Sequence, residues 1–305
     1  MQRYICFRLI QSVIALLVLS MIIFYLIRLG GDPALLLLPE TATESDYKFM
    51  KAKLGLDKPI YEQYVIFMKD VVKGDLGKSI RTRRPVIESI KETFPKSIKL
   101  VMTSFIIAML LGIPLGVLAA VKKGTFWDHV ARIIAGMGQS MPTFWVGLML
   151  IQIFSVWLRI LPASGMDGWK NYVMPSTCLA IFMMAGVIRL LRSSMLEILD
   201  HDYIKLARIK GVMEYIVIWK HALRNGLLSV VSFSSMYITI MVTGAILVET
   251  VFTWPGFGRL AYTAIVNQDF PLIQGIVLTA AAFVMFANLV TDFLYGYLDP
   301  RIRIR

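Results

Sequence analysis

The sequence predicts an all-α integral membrane protein with six transmembrane helices. Of its 305 residues, 57% are hydrophobic and only 17% are charged, and the mean hydropathy is +0.68. Six uncharged runs are each long enough to cross a hydrocarbon layer of about 30 Å, alone or with their flanks, at the α-helical rise of about 1.5 Å per residue. Helices are expected because they satisfy every backbone polar group in such a layer.

The first run, residues 9–27, follows Arg3 and Arg8. Its apolar core is too long for a signal peptide, so we interpret residues 1–29 as a retained anchor helix. The other five runs belong to a predicted core at residues 100–298, which a short cytoplasmic tail at 299–305 follows. These five runs are 100–121, 133–158, 171–188, 225–248 and 270–291.

Residues 30–99 are predicted to form an extracytoplasmic segment. Apolar residues recur at helical spacing in 46–54 and 59–72, which indicates short amphipathic helices that lie on the membrane face or receive a partner. Gly77-Lys78-Ser79 resembles the end of a phosphate-binding loop, but Val72 stands where that loop needs glycine. The sequence therefore encodes no ATPase, and any ATP chemistry belongs to a separate subunit.

Basic residues give the orientation, because Lys and Arg are retained near cytoplasmic span ends. With both termini inside, fifteen basic residues are cytoplasmic, whereas the short outer loops hold Arg159, Lys170 and Arg259. This bias predicts a multi-pass membrane protein with both termini in the cytoplasm. The net charge of +12 is then explained by anionic lipid headgroups or a cytoplasmic partner, without nucleic acid.

Glycine and proline residues within the spans have two readings. They allow close helix packing, or they bend helices that shape a translocation path. Glu249 and Asp292 lie near membrane depth, where carboxylates are costly unless paired or hydrated. They are interpreted as partners of Arg189 or Arg259, or as part of a gate. The predicted gate or path residues are Gly112, Pro114, Met141, Pro142, Gly244, Glu249 and Asp292.

The sequence does not indicate an enzyme. All three histidines lie on the predicted cytoplasmic side, outside any zinc-binding pattern, and no serine or cysteine occupies a nucleophile elbow. Cys6 and Cys178 are far apart and offer neither a disulfide framework nor metal-ligand spacing. We therefore predict no catalytic residue and no metal site.

The most informative stretch is the charged loop between the fourth and fifth spans. Residues 197–209 are predicted to form a helix that Gly211 ends with a left-handed cap, and 212–223 a second helix. Lys205, Arg208 and Lys210 project around an apolar turn. The loop either lies on lipid headgroups or docks onto a partner and transmits its motion to the flanking helices.

The sequence of this loop resembles that of a known protein family. DYIKLARIKG (202–211) with HALRN (221–225) resembles the EAA loop of ABC importer permeases, in the form typical of the peptide/nickel group. Other segments resemble the B-type permease subunit of dipeptide, oligopeptide and nickel importers. They are RLGGDPA (28–34), LGLDKP (54–59), GDLGKS (74–79), MPTFW (141–145), ETVFTWPGFG (249–258) and DPR (299–301).

The resemblance implies a type I ABC importer permease fold, in which a coupling helix of the EAA loop, at about 193–225, enters a cleft of the ATPase. Ala207 and Gly211 match signature positions, whereas Lys205 and Leu206 replace its first two letters and Ser229 stands where many relatives have proline. The predicted coupling residues are Lys205, Ala207, Arg208, Lys210, Gly211, Val212, His221 and Asn225.

The resemblance also implies the partners and the cargo. The partners would be a homologous second permease, forming a heterodimer, two cytoplasmic ABC ATPase subunits, an extracytoplasmic substrate-binding protein and the lipid bilayer. No cofactor would be bound by this chain, because ATP and Mg²⁺ would bind to the ATPase subunits. The cargo would be short peptides, or nickel or other metal chelates. The alternatives are an ion-coupled secondary transporter or passive channel, and a scaffold that transports nothing.

Overall fold

The computed structural model describes residues 2–30, 34, 38, 42–53 and 55–298, with side chains described for 7–29, 34, 38, 42–53, 55–234, 236–242 and 244–291. The described chain is helical, with a single β-bridge between Lys78 and Pro85. The α-helices are α1 (Gln2–Gly30), α2 (Glu44–Lys53), α3 (Ile60–Val72), α4 (Val86–Val121), α5 (Phe126–Ser140), α6 (Thr143–Leu150), α7 (Trp169–Leu199), α8 (Asp202–Ile209), α9 (Glu214–Ile216), α10 (Leu223–Val251), α11 (Phe257–Val266) and α12 (Phe270–Leu298). Two π-helical segments, Ile151–Trp157 and Val217–Ala222, follow α6 and α9.

Five helices of the described residues are long and apolar enough to cross a membrane, and a bent pair brings the number to six if it counts as one span. The all-α membrane fold class is therefore confirmed. The bent pair is Phe126–Ser140 with Thr143–Trp157, at 109°.

The predicted third run, 133–158, is thus bent within its length, at the Met141–Pro142 positions that the sequence marks as gate or path candidates. The helix stops at Ser140, because Pro142 forces Met141 out of the helical region, to φ −85° and ψ 132°.

Other prolines and glycines do not interrupt their helices. α4 continues through Gly112, Pro114 and Gly116, and α7 continues through Pro175. A Cβ on Gly112 would lie 3.1 Å from Val187 of α7, which agrees with the reading of close helix packing. α4 also begins at Val86, so the boundary drawn at residue 99 falls inside this helix.

The chain forms two compact units. The first consists of residues 1–95 and 260–289. Within it, the predicted amphipathic helices are present as α2 and α3, and α3 packs against α1. Phe24 is fully buried, with its ring centroid 5.3 Å from Tyr64 and 5.4 Å from Phe67. The Tyr64 hydroxyl also lies 2.8 Å from the Ser20 hydroxyl. One face of α3 therefore packs against α1.

A buried carboxylate organises the other part of the first unit. Asp269, which is 1% exposed, precedes α12 and accepts hydrogen bonds from the Ser79 hydroxyl and from the backbone N–H of Ile80 at 3.1 Å. It also accepts one from the N–H of Leu272 at 3.3 Å. Ser79, which resembled part of a phosphate-binding loop, thus has a structural partner.

The second unit, residues 96–259 and 290–305, is built around α7. Small residues let other helices approach α7 closely. A Cβ on Gly138 would lie 2.9 Å from the Cβ of Ala185, and one on Gly186 would lie 2.4 Å from the Phe233 ring. Close packing through small residues is the usual way that membrane helices associate, because lipid supplies no hydrophobic driving force between them.

Candidate functional site

The candidate site is the polar loop that follows α7. The helix predicted at 197–209 is divided, because α7 runs to Leu199 and α8 begins at Asp202. His201 lies between them in an extended conformation, at φ −68° and ψ 147°. The short helix α8 therefore carries Lys205, Ala207 and Arg208, and the other predicted coupling residues follow it in the chain.

Gly211 ends α8 as the sequence predicts. Its φ is +78°, in the left-handed region that favours glycine. The N–H of Gly211 donates to the carbonyl of Arg208 at 3.0 Å, and that of Val212 donates to Ala207 at 3.1 Å. These two bonds form a Schellman motif. A Cβ at Gly211 would meet nothing within 4 Å, so backbone conformation rather than space selects glycine there.

The second helix of the loop is not separate. The structure begins it at Glu214 and continues it through the π-helical segment Val217–Ala222 into α10. The predicted end at residue 223 was wrong, because the chain there contains no proline and no residue with a positive φ. Motion of the loop would therefore pass directly into a long membrane helix.

An ion pair joins the two sides of the turn. The Arg208 guanidinium donates to the Glu214 carboxylate from Nε at 3.1 Å and from Nη2 at 2.7 Å. This hydrogen bonding raises the pKa of Arg208 above its ordinary value. Sequence analysis missed the pair. The pair could have been predicted, because the sequence places opposite charges on either side of the predicted glycine cap.

The inner face of α8 is anchored by apolar burial and one hydrogen bond. Ile204 is fully buried, as are Val217 and Ala222 of the following segment. The Asn225 amide donates to the Tyr203 hydroxyl at 2.8 Å. Among the predicted coupling residues, Asn225 is thus tied to α8.

His221 lies in the π-helical segment, where its carbonyl accepts a hydrogen bond from Asn225 at 3.3 Å. Ser229, the position that departs from the family pattern, pairs its hydroxyl with that of Ser194 at 2.7 Å, and this links α10 to α7. A hydroxyl thus makes a helix contact at a position where proline could not.

The outer face of the loop exposes large apolar side chains. Ile209 is 81% exposed, Met213 69% and Tyr215 71%, and Leu206 is half exposed. The basic residues around them are also exposed, namely Lys205, Arg208 and Lys210. Clustered exposed apolar groups with a polar rim mark interaction surfaces in proteins.

Glu249 belongs to a second buried polar group. It is fully buried and accepts hydrogen bonds from the Ser97 hydroxyl and from the backbone N–H of Arg259 at 2.9 Å. The Arg259 guanidinium also donates to the carbonyl of Thr253 at 2.9 Å. Of the two arginines considered as partners, Arg259 thus contacts Glu249 through its backbone N–H. The carboxylate contacts the first turn of α11, where backbone N–H groups favour a negative charge.

Two family matches cover nearly the whole chain. Residues 112–304 match the binding-protein-dependent transport system inner membrane component, and residues 1–101 match the N-terminal part of such components. The chain belongs to this family. It is the membrane-spanning permease subunit of an ABC importer, and it is not itself an enzyme. Membership sets aside the secondary transporter, the passive channel and the scaffold.

Curated relatives resemble the permease along its length. It is 37% identical over 306 residues to the glutathione transport system permease protein GsiC of Escherichia coli (strain K12), with all of both chains covered. It is 38% identical to the dipeptide transport system permease protein DppB of the same strain, with 90% of each chain covered. The permease is thus of the peptide/nickel type.

Solved structures share its fold. An inward-facing crystal form of the MetNI methionine ABC transporter aligns with a TM-score of 0.59 at 16% identity, covering 69% of the permease and 96% of that chain. An amino acid ABC transporter aligns with a TM-score of 0.52 at 15% identity, covering 70% and 94%. The fold is that of ABC importer permeases, which in general work with an ATPase and a binding protein.

The predicted gate or path positions are dispersed in this permease. Gly112 faces Val187 of α7, at 3.1 Å from a built Cβ, whereas Gly244 of α10 has nothing within 4 Å. Pro114 is exposed on α4, and Met141 and Pro142 form the bend between α5 and α6. The side chain of Asp292 lies outside the described residues.

Proposed function

We propose that this permease pairs with a homologous, non-identical permease to import short peptides, with α8 as its coupling helix. Its α8 would dock in a cleft of a cytoplasmic ABC ATPase, and two such subunits would bind ATP and Mg²⁺. A substrate-binding protein would deliver cargo to the opposite side of the cytoplasmic membrane. Both termini would be cytoplasmic, as the distribution of basic residues favours.

The observation that supports the proposal best is how α8 is anchored on one face and exposed on the other. α8 is held on one side by Ile204 and the Asn225–Tyr203 hydrogen bond, and it exposes apolar Leu206 and Ile209 on the other. A short rigid helix with an exposed apolar face suits a partner's groove. The helix continues from Glu214 to Val251, so movement of a docked partner would be transmitted along it into the membrane region.

Docking of this kind can supply the free energy needed to switch the pore between two states. Shifting a two-state pore from 1:99 to 99:1 requires about 5.5 kcal/mol of differential binding. Two coupling helices that move together when the ATPase subunits close could share this cost. Peptides are favoured as cargo because the relatives that align over the whole chain are permeases for glutathione and dipeptides.

Reconstitution tests the proposal. The permease, its paired permease, the ATPase subunits and the binding protein would be placed in proteoliposomes, and uptake of labelled dipeptide, glutathione and a nickel chelate would be measured with ATP or a non-hydrolysable analogue. We expect ATP-dependent uptake of the peptides. Uptake of the nickel chelate alone would overturn the proposed cargo class, and uptake without hydrolysable ATP would overturn the mechanism.

The coupling role has its own variant and a matched control. Gly211→Val forces a β-branched residue into a left-handed conformation and should abolish uptake while leaving the complex in the membrane. Gly74→Val imposes the same strain, since Gly74 has φ +84° and nothing within 4 Å of its built Cβ. It lies in the turn after α3, in the first unit, and should retain uptake. Equal loss in both variants would remove α8 from the mechanism.

Orientation and pairing are tested separately. A protease added to right-side-out spheroplasts should spare tags at both termini of the permease. Affinity purification through one terminal tag should recover a second, different permease in equal amount. Cleavage of either tag from outside, or recovery of only this chain, would contradict the respective assignment.

A further inference from the structure

An open cavity of about 640 Å³ lies between α4 and α7, within the second unit. It adjoins the start of α7, whereas the coupling loop follows the end of that helix, roughly 46 Å away for 31 residues. Its volume is typical of small-molecule sites. The residues that line it with polar or aromatic groups are Lys99, Thr103, Asp167, Trp169, Tyr172 and Ser176.

Ser176 brings an unsatisfied hydroxyl to this cavity. The residue is fully buried, and its Oγ has no hydrogen-bond partner in the described part of the chain. Leaving a buried polar group unpaired costs about 1–3 kcal/mol. A ligand that accepted a hydrogen bond from this hydroxyl would recover that cost.

Lys99 supplies a positive charge to the cavity. Its Nζ lies 5.1 Å from the centroid of the Tyr172 ring, and no ion pair of Lys99 occurs among the described residues. The first turn of α7 adds backbone N–H groups, which Gly168 at its start does not cap with a side chain. A cation, N–H donors and a hydroxyl together suit a carboxylate.

Asp167 adds the opposite charge to the same lining. It precedes α7, is exposed, and belongs to the cavity wall with Gly168 and Trp169. A carboxylate here suits an ammonium group. The cavity therefore offers separate groups for the two charged ends of a zwitterion.

The wall that carries Lys99 and Tyr172 is well supported. Tyr172 packs edge-on against the buried Trp254, with ring centroids 4.6 Å apart. The indole N–H of Trp254 donates to the carbonyl of Lys96 at 3.3 Å, one turn of α4 before Lys99. Ser97 holds the same turn to Glu249. Sites held by such supporting contacts keep their geometry.

We propose that this cavity binds the charged termini of a short peptide as it passes through the permease. Lys99, Ser176 and the first turn of α7 receive the peptide carboxylate, and Asp167 receives its ammonium group. The inference rests on the proposed function, since it assumes a peptide cargo. It adds a recognition site in the membrane subunit itself.

The test crosses two variants with three probes in the complete reconstituted importer. The probes are a free dipeptide, its C-terminal amide and its N-acetyl form, each presented as saturated binding protein. Lys99→Met should reduce uptake of the free dipeptide and of the N-acetyl form about tenfold and leave the amide unchanged. Asp167→Asn should reduce the free dipeptide and the amide and spare the N-acetyl form. Tenfold corresponds to about 1.4 kcal/mol, close to the net contribution of one hydrogen bond to a charged group.

Two further variants sharpen the test. Lys91→Met removes another exposed lysine of α4 that does not line the cavity, and should leave all probes unchanged. Ser176→Ala should reduce uptake of probes with a free carboxylate and spare the amide. ATP hydrolysis without binding protein should be equal in all variants, which shows that the complexes are assembled.

The outcomes distinguish failure of this inference from failure of the proposed function. If Lys99→Met reduces uptake of acid and amide equally, the lysine acts on something other than the cargo carboxylate, such as a lipid phosphate, and the inference fails. If the variants transport every probe like the unmodified permease, the inference fails while the proposed function stands. If the unmodified permease transports none of the probes, the proposed function fails, and the site's substrate class with it.

Discussion

The Arg192 guanidinium donates two hydrogen bonds to the Asp128 carboxylate, from Nε at 2.7 Å and from Nη2 at 3.0 Å. Asp128 is 1% exposed and also accepts the backbone N–H of Gly124 at 3.0 Å. The pair joins the first turn of α5 to the last part of α7, shortly before the coupling loop. It therefore fixes the helix from which that loop leaves.

Removing one member of this pair should destabilise the permease strongly. Asp128→Ala leaves the Arg192 charge without its buried partner, and we expect a loss of about 3–5 kcal/mol in the free energy of unfolding. Denaturant unfolding of the purified subunit in mixed micelles measures it. Arg132→Ala is the control, because Arg132 lies 3.4 Å from Asp128 with a half-exposed side chain. It should cost less than about 1 kcal/mol, and equal losses would contradict this account.

The Arg208–Glu214 pair should matter for coupling more than for stability. Both side chains are partly exposed, at 41% and 54%, so their pair is expected to contribute about 1 kcal/mol or less to folding. Arg208→Met should nevertheless raise the number of ATP molecules hydrolysed per peptide imported, since the turn after α8 loses its cross-link. The charge-swapped double variant Arg208→Glu with Glu214→Arg should restore the ratio. Failure of this rescue would mean that the residues act separately.

The pH dependence of the same pair follows from its chemistry. Because the Arg208 pKa is raised on folding, its stabilisation is fully present below the unfolded pKa and is lost only as pH rises through the still higher folded value. Coupling should therefore show no loss that depends on Arg208 between about pH 7 and 9. Uptake and ATP hydrolysis measured across that window, in the unmodified permease and in Arg208→Met, provide the check. A pH-dependent difference between the two would argue against it.

Gly256 is predicted to tolerate no side chain. A Cβ there would lie 2.4 Å from the Glu249 carboxylate, which is itself buried and hydrogen bonded. Gly256→Ala should displace that carboxylate and lower the thermal midpoint of the complex by several degrees, since overpacking costs about 1–3 kcal/mol. Gly136→Ala, a helical glycine with nothing within 4 Å, is the matched control. It should be neutral or slightly stabilising.

Gly244 offers a test of the predicted translocation path. Nothing lies within 4 Å of a built Cβ, so Gly244→Ala should stabilise α10 by up to about 1 kcal/mol. If the glycine serves as a bend during transport, uptake should fall at the same time as the thermal midpoint rises. Unchanged uptake with a raised midpoint would assign Gly244 to the fold alone.

Features that depend on residues close together in the chain could be predicted from the sequence. Long uncharged runs predicted the membrane helices, and Gly211 after a short amphipathic segment predicted the left-handed end of α8. Both features are local, since a helix end needs only one residue that accepts a positive φ. The bend at Met141–Pro142 is local as well, and both residues were among the positions that the sequence marked in the spans.

Contacts between distant segments could not be predicted, because they depend on how the helices pack. Arg192 and Asp128 are 64 positions apart, and Ser97 and Glu249 are 152 positions apart. Pro114 leaves α4 intact, although proline usually bends a helix. The polar lining from Lys99 to Ser176 exists because α4 and α7 lie side by side. Pairing of buried charges depends on which helices pack together, and hydrophobic periodicity carries no information about that choice.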